Sequence, residues 1–93
     1  MTLIILYAKE ADKFLRKNST TIAESEIETL VAAAVRKILK KDASSIDLKK
    51  MKGKYRGSFR IRKGDLRITF TLKKGGDLEA LINDIDFRGN IYK

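Results

Sequence analysis

The sequence contains no cysteine and no histidine. Without cysteine there can be no disulfide and no thiolate metal site, which fits a reducing compartment, and a cytoplasmic location is expected. Without histidine the commonest metal ligand and the commonest general base are both missing. No metal and no cofactor are therefore expected. Proline and tryptophan are absent too, and there is no repeat, linker or low-complexity tract. The short apolar run Leu3-Ile4-Ile5-Leu6-Tyr7 has no basic leader and is far too short to span a bilayer or act as a signal peptide. Acids are scarce beside bases, 12 against 21, and the net charge of +9 favours a polyanionic or acidic partner.

What is present is enough for one globular domain over residues 1–93. Hydrophobic residues make up 43% and charged residues 35%, which separates the chain from disordered sequences. A chain of this length buries roughly 60–65% of its unfolded surface, so its core is modest.

The apolar run Leu3–Tyr7 reads as a strand buried on both faces, near the middle of a sheet. From Ala8 to Asn18 the period becomes helical, with Ala11, Phe14 and Leu15 on one face. Asn18-Ser19-Thr20-Thr21 breaks that helix and offers N-caps for a second one, from about Thr20 to Lys41. Its stripe is Ile22, Ile27, Leu30, Val31, Ala34, Ile38 and Leu39. Glutamates early and basic residues late match the helix dipole, which is reason enough for them. Asp42 to Asp47 is a polar link, with Ile46, Leu48 and Met51 as anchors to the core.

The stretch Lys49 to Phe70, KKMKGKYRGSFRIRKGDLRITF, organises the remainder. Phe59 and Ile61 alternate with Arg60 and Arg62; after Gly64-Asp65, Leu66, Ile68 and Phe70 alternate with Arg67 and Thr69. Strict alternation marks strands with one buried face, and Gly-Asp between them reads as a two-residue hairpin turn. With that turn, Arg62 falls opposite Arg67, Ile61 opposite Ile68 and Phe59 opposite Phe70. Arg60, Arg62 and Arg67 then share the open face. Like charges directly opposite destabilise a sheet, so this break in a consistent hairpin points to a functional site. The plainer reading is that the arginines fan into water or pair with acids elsewhere.

After the turn at Lys73–Asp77, Leu78 to Ile85 forms the last strand. Its alternation is imperfect, as a strand buried on both faces or a bulge near Asn83-Asp84 would make it. The expected fold is α+β: two N-terminal helices on one face of a four-stranded, mostly antiparallel sheet, in the order β-α-α-β-β-β.

The element order, the basic loop KMKGKYRGSFRIRKGDLRITF and the tail IDFRGNIYK resemble the RelE/ParE toxin superfamily of toxin–antitoxin pairs. The resemblance implies a type II toxin, either a ribosome-dependent messenger-RNA endonuclease of the RelE type or a DNA gyrase inhibitor of the ParE type. It implies catalytic roles for Arg60, Arg62, Arg67, Arg88 and Tyr92. The basic loop adds Lys49, Lys50, Lys52, Lys54, Arg56 and Lys63 as candidates for RNA binding. The partners implied are an acidic, RelB-like antitoxin and messenger RNA on the ribosome, with operator DNA reached through the antitoxin. Relatives often carry lysine where this chain has Arg60 and Arg62.

The chemistry also stands on its own. A 2′-hydroxyl can attack the adjacent phosphate, and arginine forks suit the charge that builds there. Tyr92 could stack on a base or move a proton. Arginine stays protonated and makes a poor base. Lys52, Lys54, Lys63 and Asp86 are therefore the candidates. The ribonuclease competes with the gyrase inhibitor and with a catalytically silent basic binding module. A membrane-surface role is disfavoured because the positive charge lies on a sheet rather than an amphipathic helix.

Overall fold

The computed structural model describes residues 2–40, 47–51 and 57–87. Its elements are β1 (Leu3–Tyr7), α1 (Lys9–Lys17), α2 (Glu24–Lys40), β2 (Asp47–Lys50), β3 (Ser58–Lys63), β4 (Leu66–Lys74) and β5 (Leu78–Phe87). The architecture is α+β, but the sheet has five strands rather than four, in the order β1-β5-β4-β3-β2. It is mixed: β1 runs parallel to β5, and the other pairings are antiparallel.

The additional strand is β2, on a stretch read from the sequence mainly as a connection. Leu48 gives it a reason to form. It sits opposite Ile61, on the face that carries the core, and so extends that face by one side chain. The Met51 amide closes the pairing with a 2.9 Å bond to the Ser58 carbonyl.

A second correction concerns β1, which lies at the edge of the sheet and not near its middle. Its apolar run has side chains for both faces, but only one is well covered. Leu3, Ile5 and Tyr7 pack against the core, while Leu6 is 44% exposed.

The hairpin of β3 and β4 has the register that its alternation predicts: Phe59 opposite Phe70, Ile61 opposite Ile68 and Arg62 opposite Arg67. Gly64 turns the chain at φ 58°, in the left-handed region where a Cβ is unfavourable. The bulge on β5 is also present. Thr69 pairs with Asp84 but Phe70 with Ile82, which leaves Asn83 unmatched.

Both helices pack on one face. Ala11 and Leu15 of α1 are buried there, with Phe14 tilted against Phe87 at 5.3 Å. From α2 the buried residues are Ile27, Val31, Ala34 and Val35, with Leu30 and Ile38 partly covered. Leu39, expected in the stripe, is 40% exposed, and Val35 takes its share of the burial. The helix begins at Glu24 rather than near Thr20, so the 18–21 segment does not cap it. Instead Asn18 closes α1, its side-chain amide donating to the Phe14 carbonyl at 2.8 Å. Phe70, Ile61, Ile68, Ile82 and Ile85 supply the sheet's half of the core. Each such side chain contributes about 1.5–3 kcal/mol on burial.

Candidate functional site on the open sheet face

Because the helices occupy one face, every second side chain of the strands points to the other. Register decides what meets there. Asp47 of β2 lies opposite Arg62, Arg62 opposite Arg67, and Arg67 opposite Asp86. One step along the strands, Lys49 lies opposite Arg60, Arg60 opposite Thr69, and Thr69 opposite Asp84. Arg60, Arg62 and Arg67 therefore share this face, as the alternation requires. The repulsion between Arg62 and Arg67 is bracketed by an acid on each outer side. Neither Asp47 nor Asp86 is close in sequence to the arginine it faces, so only the sheet order brings them together.

The bulge at Asn83 builds the acidic side. Ahead of it Leu78, Ala80 and Ile82 face the core; beyond it Ile85 takes over that role. The one-residue slip turns Asp84 and Asp86 to the open face, beside Arg60 and Arg67. Hydrogen bonds hold the slip in place. The Asn83 side-chain amide donates to Thr71 Oγ1 at 2.8 Å, and Thr71 Oγ1 meets Ser58 Oγ at 3.0 Å. This chain of polar groups crosses β5, β4 and β3.

The result is a cleft of about 330 Å³ lined by Met51, Arg60, Arg67, Thr69, Asn83, Asp84 and Asp86. Arg60 and Arg67 are half-buried, while Arg62 stands out in solvent. Inside, the Nε atoms of Arg60 and Arg67 and the Oδ1 atom of Asp86 are buried without hydrogen-bond partners. Buried polar atoms in native proteins are normally paired, so three in one cleft stand out. Loss of hydration, followed by the charge of Asp86, holds the Asp84 carboxyl above the ordinary carboxylate range. Among the described residues no cluster of acids could hold a metal ion.

Not every basic candidate joins this site. Lys49 does, in the same cross-strand line as Arg60. Lys50 and Lys63 have the other parity: Lys50 pairs with Phe59 and Lys63 with Leu66, so they rim the helix-bearing face. Lys52, Lys54, Arg56, Arg88 and Tyr92 lie outside the described residues. The sequence reading had not placed Asp47, Asn83 and Asp84 in the site. The broken alternation of the last strand was the signal that could have found Asp84.

This fold recurs in solved structures. The E. coli DinJ-YafQ complex contains a chain similar over 99% of this one and 100% of its own length, at a TM-score of 0.69 and 8% identity. The fold is that of the RelE/ParE toxin superfamily. A YoeB/ParE toxin from Agrobacterium tumefaciens matches it at a TM-score of 0.62 and 10% identity, covering 90% of this chain and 96% of that one. The RelB-RelE antitoxin-toxin complex from Methanococcus jannaschii matches at 0.51 with 22% identity, covering 94% of each chain. No protein-family model and no curated protein matches the sequence. With identities this low, the RelE/ParE fold is carried by the sheet and helices rather than by shared side chains. No helix among the described residues is long and apolar enough to cross a membrane.

Proposed function

We propose that this protein is the toxin of a type II toxin–antitoxin pair and acts as a ribosome-dependent messenger-RNA endonuclease. The observation that carries the reading is the cleft on the open face, where Arg60 and Arg67 stand with unpaired buried donors beside two carboxyl groups. A surface that only attracted RNA would need exposed positive charge and no acids in its middle. A surface that cuts RNA needs donors for the charge that develops on phosphate and a group that can move a proton. Guanidinium groups suit the first task, since one fork can hold two phosphate oxygens. Arg88 and Tyr92 belong to the same proposal through their match to the family motif, with Tyr92 stacking on a base or moving a proton. The basic residues of the loop, Lys52, Lys54 and Arg56, together with Lys49, guide the RNA backbone, while Lys50 and Lys63, candidates from the sequence, rim the other face and take no part. No cofactor is required.

The partner is an acidic antitoxin that neutralises the +9 chain and covers the open face. The toxin–antitoxin complex reaches operator DNA through the antitoxin. Similar chains have been solved as a RelB-RelE antitoxin-toxin complex and as a YoeB-YefM complex, which supports this reading.

The deciding experiment is induction in cells, with primer extension on ribosome-bound messenger RNA beside a gyrase supercoiling assay. Growth arrest with new transcript ends is the expected result. Intact transcripts with inhibited gyrase would move the protein to the ParE branch. Intact transcripts with normal gyrase would leave a basic binding module.

A further inference from the structure

An RNA-cutting cleft without histidine needs another proton acceptor. Of the candidates drawn from the sequence, Lys52 and Lys54 lie outside the described residues, Lys63 belongs by register to the opposite face, and Asp86 lies in the cleft itself. Asp86 is held opposite Arg67, and its Oδ1 is buried with no hydrogen-bond partner. An unpaired, buried carboxylate oxygen is costly for a fold. The Asn83 bulge is what aims it: without the slip, Asp86 would have the parity of the core residues.

We propose that Asp86 is the general base of the cleft, taking the proton of the attacking RNA 2′-hydroxyl while Arg60 and Arg67 hold the phosphate. The inference rests on the ribonuclease reading above. In the step, the 2′-oxygen forms a bond to phosphorus and its proton passes to Asp86. The bond from phosphorus to the 5′-oxygen breaks, and that oxygen takes a proton from solvent. The products are a 2′,3′-cyclic phosphate and a 5′-hydroxyl end. Asp86 then returns its proton to water.

Asp84 matters because the two carboxyl groups share the open face two positions apart on one strand. Burial first, and then the charge of Asp86, raise the Asp84 pKa; Glu10 adds to the rise and Arg67 opposes it. Arg60 lines the same cleft.

The test is single-turnover cleavage of messenger RNA on ribosomes, with the full chain, across a pH series. Asp86→Asn is expected to lose about 100-fold or more in rate at every pH. Its melting temperature should stay close to the wild-type value. Asp86→Glu should recover part of the rate, because it restores a carboxylate. Asp84→Asn should slow cleavage less than Asp86→Asn, because its carboxyl does not take the proton. Asp86→Asn cleaving at the wild-type rate would overturn the proposal, and so would Asp84→Asn slowing cleavage as much as Asp86→Asn. If Asp86→Asn does not fold, the wild-type profile decides: a rate independent of pH from about 4 to 8 excludes a carboxylate base. Wild-type protein that cuts nothing would overturn the ribonuclease reading and this inference together. Cleavage that Arg67→Ala abolishes and Asp86→Asn leaves intact would overturn only the inference.

Discussion

Arg67 is central at the residue scale, because it faces Arg62 on one side and Asp86 on the other while its Nε is buried in the cleft. Removing one preorganised donor to a charged transition state typically costs about 3–4 kcal/mol of barrier. Arg67→Ala should accordingly slow cleavage by roughly 100- to 1,000-fold and relieve toxicity. The fold should survive, because the row loses an arginine–arginine repulsion and an arginine–aspartate attraction together. Primer extension beside a thermal melt checks both halves. Gly64 makes a separate prediction. Its φ of 58° should cost an alanine about 1–2 kcal/mol, although nothing lies within 4 Å of the added Cβ. Gly76 has equally open space and no positive φ, so Gly76→Ala should be neutral or slightly stabilising. Urea unfolding of the two variants side by side measures the difference.

Among the elements, β1 depends most on its neighbours. It is an edge strand paired only with β5, and a side-chain bond ties it to a helix: the Tyr7 hydroxyl donates to Glu28 Oε2 at 2.9 Å. Burial first, and the Glu28 bond second, raise the Tyr7 pKa above its ordinary value. The sign follows from linkage. A tyrosine with a raised folded pKa contributes its stability in full below the unfolded pKa of about 10, and loses it as pH climbs above that value. Tyr7→Phe should cost about 1 kcal/mol at neutral pH, the net worth of one hydrogen bond. The gap between wild type and Tyr7→Phe should shrink above about pH 10. Denaturant melts of the two proteins on either side of that pH would show it, and a constant gap would count against the bond.

Across the whole molecule, charge is unevenly spread. The +9 excess draws polyanions, yet the open face mixes the arginines with Asp47, Asp84 and Asp86. Attraction to a polyanion is thus long-ranged, while the cleft itself is chemically mixed. With about four phosphates neutralised, affinity for single-stranded RNA should fall about 50-fold between 50 and 200 mM salt. Filter binding over that range tests it. A flat salt response would mean that the basic residues do not track the RNA backbone.

Much of this protein was determined locally. Alternation of apolar and charged residues from Phe59 to Phe70, with a glycine turn between, specifies the hairpin and its register, because a slip of one residue would put arginines into the core. Two helical periods and a chain this small leave few arrangements besides helices on one sheet face. Even the bulge was visible as an interruption in the last strand. Other features depend on which strands become neighbours, and period alone does not say. Leu3–Tyr7 is apolar enough for an interior strand, yet it pairs with β5 alone and forms an edge. Asp47–Lys50 reads as a connection until Leu48 finds Ile61 across a sheet edge. The site shows the same division. Its arginines were legible because they lie within one hairpin. The acids that complete it come from β2 and β5, and only tertiary pairing sets Asp47 beside Arg62 and Asp86 beside Arg67.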